Sequence, residues 1–280
     1  MTLLRPLEWG YPISASRNTD IPKFWMRRWF EWMDRGWVNA PHPQTGLPAQ
    51  WSLKPEDLHS IIWWSKDYRP FLKHPRRAEL DKNYRQFFNM TITGDELWEL
   101  KVPDLDVQLA VFREMVSTYG VDKVRWRYSP IPLDWSLFGK ILEAMAGMGV
   151  TECYYSFLHS DTKVKETRSP EERKEILLFM AEYAANFGVK MLGCWDDLQW
   201  VGAHPNVYEA SCLDARVLDR VYGLEQYNIV HPVESNCGCS MSVEIGNQKL
   251  LTCPHACQFC YAAVDEEPNV GDSAGLEEGG

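Results

Sequence analysis

Short runs of apolar and β-branched residues recur along the chain, and segments with a helical spacing of apolar residues lie between them. Runs of this length and composition are typical of β-strands. The pattern predicts eight strands, at residues 11–16, 37–40, 60–65, 86–93, 123–128, 152–158, 190–194 and 248–253. The second and the eighth of these have the weakest pattern.

Four of the intervening segments have a clear helical spacing. They cover residues 22–35, 107–119, 137–148 and 170–187. Two of them carry start signals, because Asp20 precedes Pro22 and Ser169 precedes Pro170. A polar cap followed by proline is typical of the first turn of a helix. The alternation of strands and helices predicts a parallel sheet with helical crossovers.

Eight such units would close a TIM-like (βα) barrel, and this α/β fold is the one that we expect for residues 1–230. An open doubly wound sheet is the alternative, but no glycine-rich phosphate loop of the GxGxxG or P-loop type follows any strand. We expect residues 231–264 to form a cysteine-rich, cluster-binding segment within the same domain. The acidic tail, residues 265–280, is predicted to be disordered.

Composition narrows the class of protein. The chain is 45% apolar and 13% aromatic, which is sufficient for a large core. Six acidic residues and no basic residue lie in the tail, so removing the tail from the net charge of −10 leaves −4. The remainder lacks the basic footprint of a protein that holds duplex DNA, and nucleic acid is not favoured as a partner. No window approaches the roughly 18 apolar residues of a membrane span, so we expect a cytoplasmic protein without a membrane partner.

The motif TCPHACQFCYA is the most informative part of the chain. It spaces Cys253, Cys257 and Cys260 as C-x3-C-x2-C, and in reduced cytoplasm such cysteines indicate metal or redox chemistry. Three thiolates can hold three irons of a [4Fe–4S] cluster and leave the fourth iron open, whereas a ferredoxin-type site uses four. Phe259 is a candidate cofactor-binding residue beside them. The alternative is a zinc site that adds His255 or an upstream cysteine.

Four further cysteines are candidate metal ligands of a second cluster. Cys237 and Cys239 flank a flexible glycine, and Cys194 and Cys212 precede them. Four thiolates are sufficient for a closed [4Fe–4S] site. Ordinary burial is the alternative for Cys194 and Cys212. It is also the interpretation that we adopt for Cys153, which lies inside a predicted strand.

Polar residues at the predicted strand ends are candidates for catalysis, because barrel enzymes place their chemistry at the carboxyl ends of the strands. The candidates are Arg17, Asp20, Lys66 and Arg127. Arg17 is also a candidate for cofactor binding, since a guanidinium suits a carboxylate or a phosphate. Capping of the helix at Pro22 explains Asp20 equally well. A lysine that extends to the surface is the alternative for Lys66.

Eight segments of the chain carry a resemblance to a known family. They are ISASRNTDIP, SLKPEDLHSIIWWSK, VRWRYSPI, YYSFLHSDTKVK, LGCWD, ASCLD, CGCSMSVEIG and CPHACQFCYA, between about residues 12 and 262. In this order they resemble a bacterial and archaeal family known as domain of unknown function 1848. The last segment is also similar to the motif of the spore photoproduct lyase group of radical S-adenosylmethionine (SAM) proteins.

The resemblance implies a radical-SAM-like enzyme, in which a reduced [4Fe–4S] cluster gives one electron to SAM and the resulting radical takes hydrogen from an unknown substrate. It also implies a reductant such as a flavodoxin or ferredoxin as a partner. Radical SAM enzymes carry the cysteine loop after the first barrel strand, whereas here it comes near the end of the chain. We therefore expect a permuted or partial barrel, or a C-terminal cysteine-rich segment that folds back over the barrel mouth. A non-catalytic protein for electron transfer or redox sensing and a zinc-stabilised binding module stay as alternatives.

Overall fold

Strands and helices alternate along most of the chain. The computed structural model describes residues 3–4, 10–158, 162, 164–193, 195–224, 239–247, 249–260 and 262. The strands are β1 (Leu3–Leu4), β2 (Tyr11–Ala15), β3 (Trp37–Pro41), β4 (Pro48–Ser52), β5 (Leu58–Ser65), β6 (Gln86–Thr91), β7 (Val124–Tyr128), β8 (Glu152–Tyr155), β9 (Lys190–Gly193), β10 (Val207–Glu209) and β11 (Val243–Glu244). The α-helices are α1 (Met26–Arg35), α2 (Arg69–Leu72), α3 (Arg77–Asn83), α4 (Leu105–Tyr119), α5 (Phe138–Gly147), α6 (Pro170–Ala185) and α7 (Ala215–Tyr222).

Eight strands form one sheet in the order β10-β9-β8-β7-β6-β5-β2-β11. Each of its described pairings is parallel. The strands of this sheet lie side by side in chain order from β2 to β10, because β3 and β4 belong to another sheet. The last strand, β11, lies beside the first, β2. Within the described ranges, no pairing joins the two edges, β10 and β11. The predicted α/β fold with a parallel sheet is therefore confirmed.

The membership of this sheet differs from the sequence prediction at two places. The predicted strand 37–40 exists as β3, but it pairs with β4 in a separate sheet of order β1-β4-β3. The predicted strand 248–253 is wrong, because residues 249–253 form turns and irregular backbone. Strands β10 and β11 complete the eight instead. They have three and two residues, which is too short for a visible alternation of apolar and polar positions.

The four predicted helices are present as α1, α4, α5 and α6. A π-helical turn, Ile21–Trp25, leads into α1, and the side chain of Asp20 caps it. Ser169 and Glu172 form a reciprocal capping box at the start of α6. Helices α2, α3 and α7 have at most eight residues and were not predicted. None of the helices in the described ranges is both long and apolar enough to cross a bilayer, and the cytoplasmic location stays a prediction.

One face of the sheet forms the main hydrophobic core against α1, α4, α5 and α6. Alternate residues of each strand point to this face, as the two-residue period of a strand requires. Trp63, Trp126 and Cys153 are fully buried there. The interpretation of Cys153 as an ordinary buried thiol is therefore confirmed.

The opposite face of the sheet holds α7 near the amino ends of the strands. Leu218 of α7 packs in a cluster with Ile62 and Phe87 of the sheet. The hydroxyl of Tyr222 donates a hydrogen bond to the backbone oxygen of Gln86, the first residue of β6.

Candidate functional site

A cavity of about 170 Å³ lies at the carboxyl ends of the parallel strands. Residues that follow β2, β5, β7 and β8 form one part of its wall, and the cysteine loop after β11 forms another. The predicted site residues that line the cavity are Arg17, Asp20, Lys66, Arg127, Cys253, Cys257, Phe259 and Cys260. The tertiary structure thus brings all four catalytic candidates to the three-cysteine motif.

The cysteine loop consists of tight turns. The N–H of Ala256 donates to the carbonyl oxygen of Cys253 at 3.4 Å, and the N–H of Cys260 donates to that of Cys257 at 3.1 Å. Ala256 has a φ of 49°, in the left-handed region that non-glycine residues rarely adopt. These turns place the three thiols on the wall of the same cavity.

Cys257 is buried, whereas Cys253 and Cys260 are partly exposed. Burial raises the pKa of Cys257 to about 12, and the ammonium of Lys66 opposes this rise. Burial, with the nearby carboxylate of Asp20, raises the pKa of Cys253 to about 11. Without a metal these two thiols are therefore protonated at neutral pH, and a metal would release their protons on binding.

Apolar side chains cover the loop. Cys257 and Phe259 form a buried cluster with Leu158, and Trp98 packs against that cluster. The ring centroids of Trp98 and Phe259 lie 6.2 Å apart. The backbone also joins the two segments, since the N–H of Gln258 donates to the carbonyl oxygen of Trp98 at 3.0 Å. This cover limits the access of water to Cys257.

Asp20 supports the loop from the end of β2. Its Oδ1 accepts a hydrogen bond from the N–H of Lys23 at 2.9 Å, which confirms the capping role. Its Oδ2 accepts from the hydroxyl of Ser65 at 2.9 Å and from the N–H of Lys66 at 3.0 Å. The same Oδ2 lies 2.9 Å from Nε2 of His255, within the cysteine loop. Because both oxygens are engaged by protein groups, Asp20 is a positioning residue for the loop.

Arg17 is held by Glu244 of β11, a residue that the sequence analysis did not select. The N–H of Arg17 donates to Oε1 of Glu244 at 2.7 Å, and Nε donates to Oε2 at 2.9 Å. The hydroxyl of Ser16 also donates to Oε1 at 2.7 Å. No local signal could have shown this pair, because the two residues lie 227 positions apart. Glu244 fixes the end of β2 to the strand that leads into the cysteine loop.

Lys66 forms a buried ion pair with Glu99, a second residue that the sequence analysis did not select. The two side chains are 16% and 2% exposed, so the alternative of a surface lysine is wrong. Burial lowers the pKa of Lys66, but Glu99 and Cys257 outweigh it and the pKa is raised. The ammonium lies 5.4 Å from the ring centroid of Phe259. Lys66 is therefore a charged residue beside the cysteine loop.

Arg127 reaches the cavity from β7. Its guanidinium carbon lies 5.1 Å from the ring centroid of Trp64, whose Nε1 donates to the hydroxyl of Ser14 at 3.0 Å. Its Nη2 lies 3.4 Å from the hydroxyl of Ser129 and 4.0 Å from the sulfur of Cys212. Its Nε is buried and, within the part of the chain that the structure describes, has no hydrogen-bond partner.

The second set of cysteines is described only in part. Cys212 and Cys239 lie on neighbouring segments, because the N–H of Ser240 donates a 2.8 Å hydrogen bond to the carbonyl oxygen of the residue after Cys212. Cys194 and Cys237 lie outside the described residues. A second cluster on these four cysteines stays a prediction.

The described residues contain no group of three or more His, Cys, Asp or Glu side chains arranged to hold a metal ion. A [4Fe–4S] cluster requires a different arrangement of ligands from a single metal ion. Each of its cysteines binds a different iron, so the sulfurs need not converge on one point.

Comparison with known proteins places the chain in one group. A family model described as "Domain of unknown function (DUF1848)" matches residues 13–262. No curated protein matches the sequence, and no solved structure matches it.

Proposed function

The chain belongs to the family of domain of unknown function 1848, and we propose that it is a radical-SAM-like enzyme that binds a [4Fe–4S] cluster through Cys253, Cys257 and Cys260. One observation carries the proposal. These three cysteines line a single cavity with Arg17, Lys66 and other polar residues from the carboxyl ends of the strands. In α/β enzymes this edge of the sheet is where substrates bind.

The residues present fit a cluster with one open iron. Thiolates are the usual ligands of iron–sulfur clusters, and three of them satisfy three irons. Among the described residues that line the cavity there is no fourth cysteine. The apolar cover formed by Phe259, Leu158 and Trp98 supports the proposal further, because radical chemistry requires water to be kept out.

When bound, the cluster and SAM would supply a one-electron reduction that yields a carbon radical able to remove hydrogen from a substrate. The protein's own residues would hold the cysteine loop in place and supply a charge beside it. Asp20 and His255 hold the cysteine loop against the end of β2. Lys66 places a positive charge beside Cys257, where a cluster would carry negative charge. The electron would come from a reductant such as a flavodoxin or ferredoxin.

We also propose that the parallel sheet is a partial (βα) barrel. In such a barrel the strands follow in order and the last lies beside the first. The chain order from β2 to β10 and the pairing of β11 with β2 support this arrangement. The hydrogen bond from Ser240 to Leu213 links the segment before β11 to the segment after β10. The cysteine loop would then fold back over the barrel mouth after the eighth strand, rather than follow the first.

The direct test is SAM cleavage. Protein reconstituted anaerobically with iron and sulfide, then reduced with dithionite, should release 5′-deoxyadenosine and methionine from SAM, measured by chromatography. The Cys257→Ala variant is the negative control. A wild-type protein that carries a full, reduced cluster but neither binds SAM nor releases deoxyadenosine would favour an electron-transfer or redox-sensing protein. Zinc in place of iron in anaerobically purified protein would favour the zinc-stabilised binding module.

A further inference from the structure

Among the described residues, three cationic side chains line the cavity, and two of them have carboxylate partners. Lys66 pairs with Glu99, and Arg17 pairs with Glu244. For Arg127, the described part of the chain offers no carboxylate within ion-pair distance. A partly buried guanidinium without a counter-charge is unfavourable, because it has lost water and gained no anion in return. Within the described residues, Arg127 is thus the one of these three cations that has no carboxylate in contact.

The guanidinium of Arg127 is held in a fixed position. The ring of Trp64 lies beneath it at 5.1 Å, and Trp64 is itself fixed by its hydrogen bond to Ser14. Ser129 contacts Nη2 at 3.4 Å. A guanidinium that is already oriented loses little side-chain freedom when it binds a planar or tetrahedral anion.

The hydroxyl groups of Ser129 and Ser156 add to the hydrogen-bond donors at Arg127. The Oγ atoms of Ser129 and Ser156 lie 2.5 Å apart, and both residues line the cavity. Hydroxyl hydrogens rotate, so one of the two can turn to donate to a bound oxygen. The guanidinium of Arg127 and one of these two hydroxyls can therefore both donate to an anion on one side of the cavity.

The cysteine loop has a cation of its own. The ammonium of Lys66 lies 5.4 Å from the ring centroid of Phe259 in that loop, and Lys66 pairs with Glu99. The guanidinium of Arg127 contacts no such carboxylate within the described residues, so it can take an anionic ligand in the cavity.

We propose that Arg127, assisted by Ser129 and Ser156, binds an oxyanion group of the substrate, either a carboxylate or a phosphate. This inference rests on the proposed function in taking the cavity for the substrate site, and it adds the chemical class of the substrate. Arg127 would hold the substrate's anionic end while the reacting carbon faces the cysteine loop across the cavity.

The test is anion binding by the full-length protein. Binding is measured as a change in the thermal unfolding midpoint at constant ionic strength. Inorganic phosphate and acetate are titrated separately at low millimolar concentration, before and after anaerobic reconstitution with iron and sulfide. The wild type should show a saturable rise in midpoint with at least one anion, because a ligand that binds only the folded state stabilises it. The anion that binds more tightly identifies the group.

Four variants make the test specific. Arg127→Met should abolish the saturable rise, and Arg127→Lys should weaken affinity about tenfold or more, because it keeps the charge but loses the fork of donors. Ser129→Asp should also abolish it, since a carboxylate beside Nη2 would neutralise the guanidinium. Arg216→Met is the matched control, because Arg216 is 68% exposed on α7 and pairs with Asp214.

The inference is overturned if the wild type shows no saturable response to either anion. It is equally overturned if Arg127→Met and Ser129→Asp respond as the wild type does. If Arg127→Met does not fold, as judged by circular dichroism, the responses of Arg127→Lys and Ser129→Asp to the two anions test the inference instead. A protein that binds phosphate or acetate through Arg127 but does not cleave SAM would refute the proposed function and leave the oxyanion site standing.

Discussion

Nε2 of His255 lies 2.9 Å from Oδ2 of Asp20, although the two residues are 235 positions apart in the chain. This contact joins the cysteine loop to the end of the first strand of the parallel sheet. Both side chains are almost fully buried, at 2% and 6% exposure. A residue that resembles an ordinary helix cap in the sequence is therefore also the support of the candidate metal loop.

Asp20→Asn should lower the free energy of unfolding by about 1–3 kcal/mol, because an amide cannot accept hydrogen bonds at both ends and leaves a buried donor unmatched. The loosened loop should also bind less iron after reconstitution. Denaturant titration and iron analysis measure the two effects. Asp106→Asn is the control, since the Asp106 carboxylate is 82% exposed and pairs with Lys140 at the surface. That change should stay within about 0.5 kcal/mol of the wild type.

Changing Cys253, Cys257 and Cys260 together to alanine should remove the iron and sulfide of one [4Fe–4S] cluster from the reconstituted protein, because these thiolates are its proposed ligands. Iron and sulfide assays with the absorption spectrum measure the loss. Cys153→Ala is a matched control, since Cys153 is fully buried in the main core. Full iron content in the triple variant would contradict the assignment.

Glu99→Gln should destabilise the protein by about 3–5 kcal/mol, because it leaves the buried ammonium of Lys66 without its counter-charge. The single variant Lys66→Met should also lower the free energy of unfolding, because it leaves the buried carboxylate of Glu99 without its counter-charge. The double variant, Lys66→Met with Glu99→Gln, should lose less stability than the sum of the two singles, which a double-mutant cycle measures in denaturant. Additive losses would show that the two side chains do not interact.

Ala256→Gly should preserve or raise stability, whereas Ala256→Val should lower it by more than about 1 kcal/mol. The reason is the φ of 49° at this position, which glycine adopts without strain and a β-branched residue does not. Unfolding midpoints of the two variants measure the difference, and each serves as the other's control. Equal midpoints for glycine and valine would contradict a left-handed backbone between Cys253 and Cys257.

Asp67 should contribute stability that disappears in acid. Burial alone would raise the pKa of Asp67, but hydrogen bonds from Arg69 and Lys23 lower it to about 2, from 3.8. The folded pKa is below the unfolded one, so the contribution, about 2 kcal/mol, is present above pH 4 and is lost as pH falls toward 2. In Asp67→Asn the free energy of unfolding should lack this part of the pH dependence. If the free energy of unfolding changes with pH in the same way for the variant and the wild type, the contribution assigned to Asp67 is wrong.

Local sequence was sufficient for the longer elements. The helices at Pro170–Ala185 and Leu105–Tyr119 have several turns of apolar spacing, and the cap at Ser169 marks a start that needs no tertiary information. The strand Leu58–Ser65 is a continuous buried run. The spacing of the three cysteines likewise indicated a candidate metal loop without reference to the fold.

The tertiary structure alone decided which distant residues meet. Glu99 and Glu244 became partners of Lys66 and Arg17 because the carboxyl ends of parallel strands share one edge, and sequence spacing carries no record of that edge. Strand β11, of only two residues, is set by its pairing with β2 and not by its own pattern. The sequence determined the spacing of the three thiols in the cysteine loop, whereas the parallel pairing of the strands determined which charges surround it.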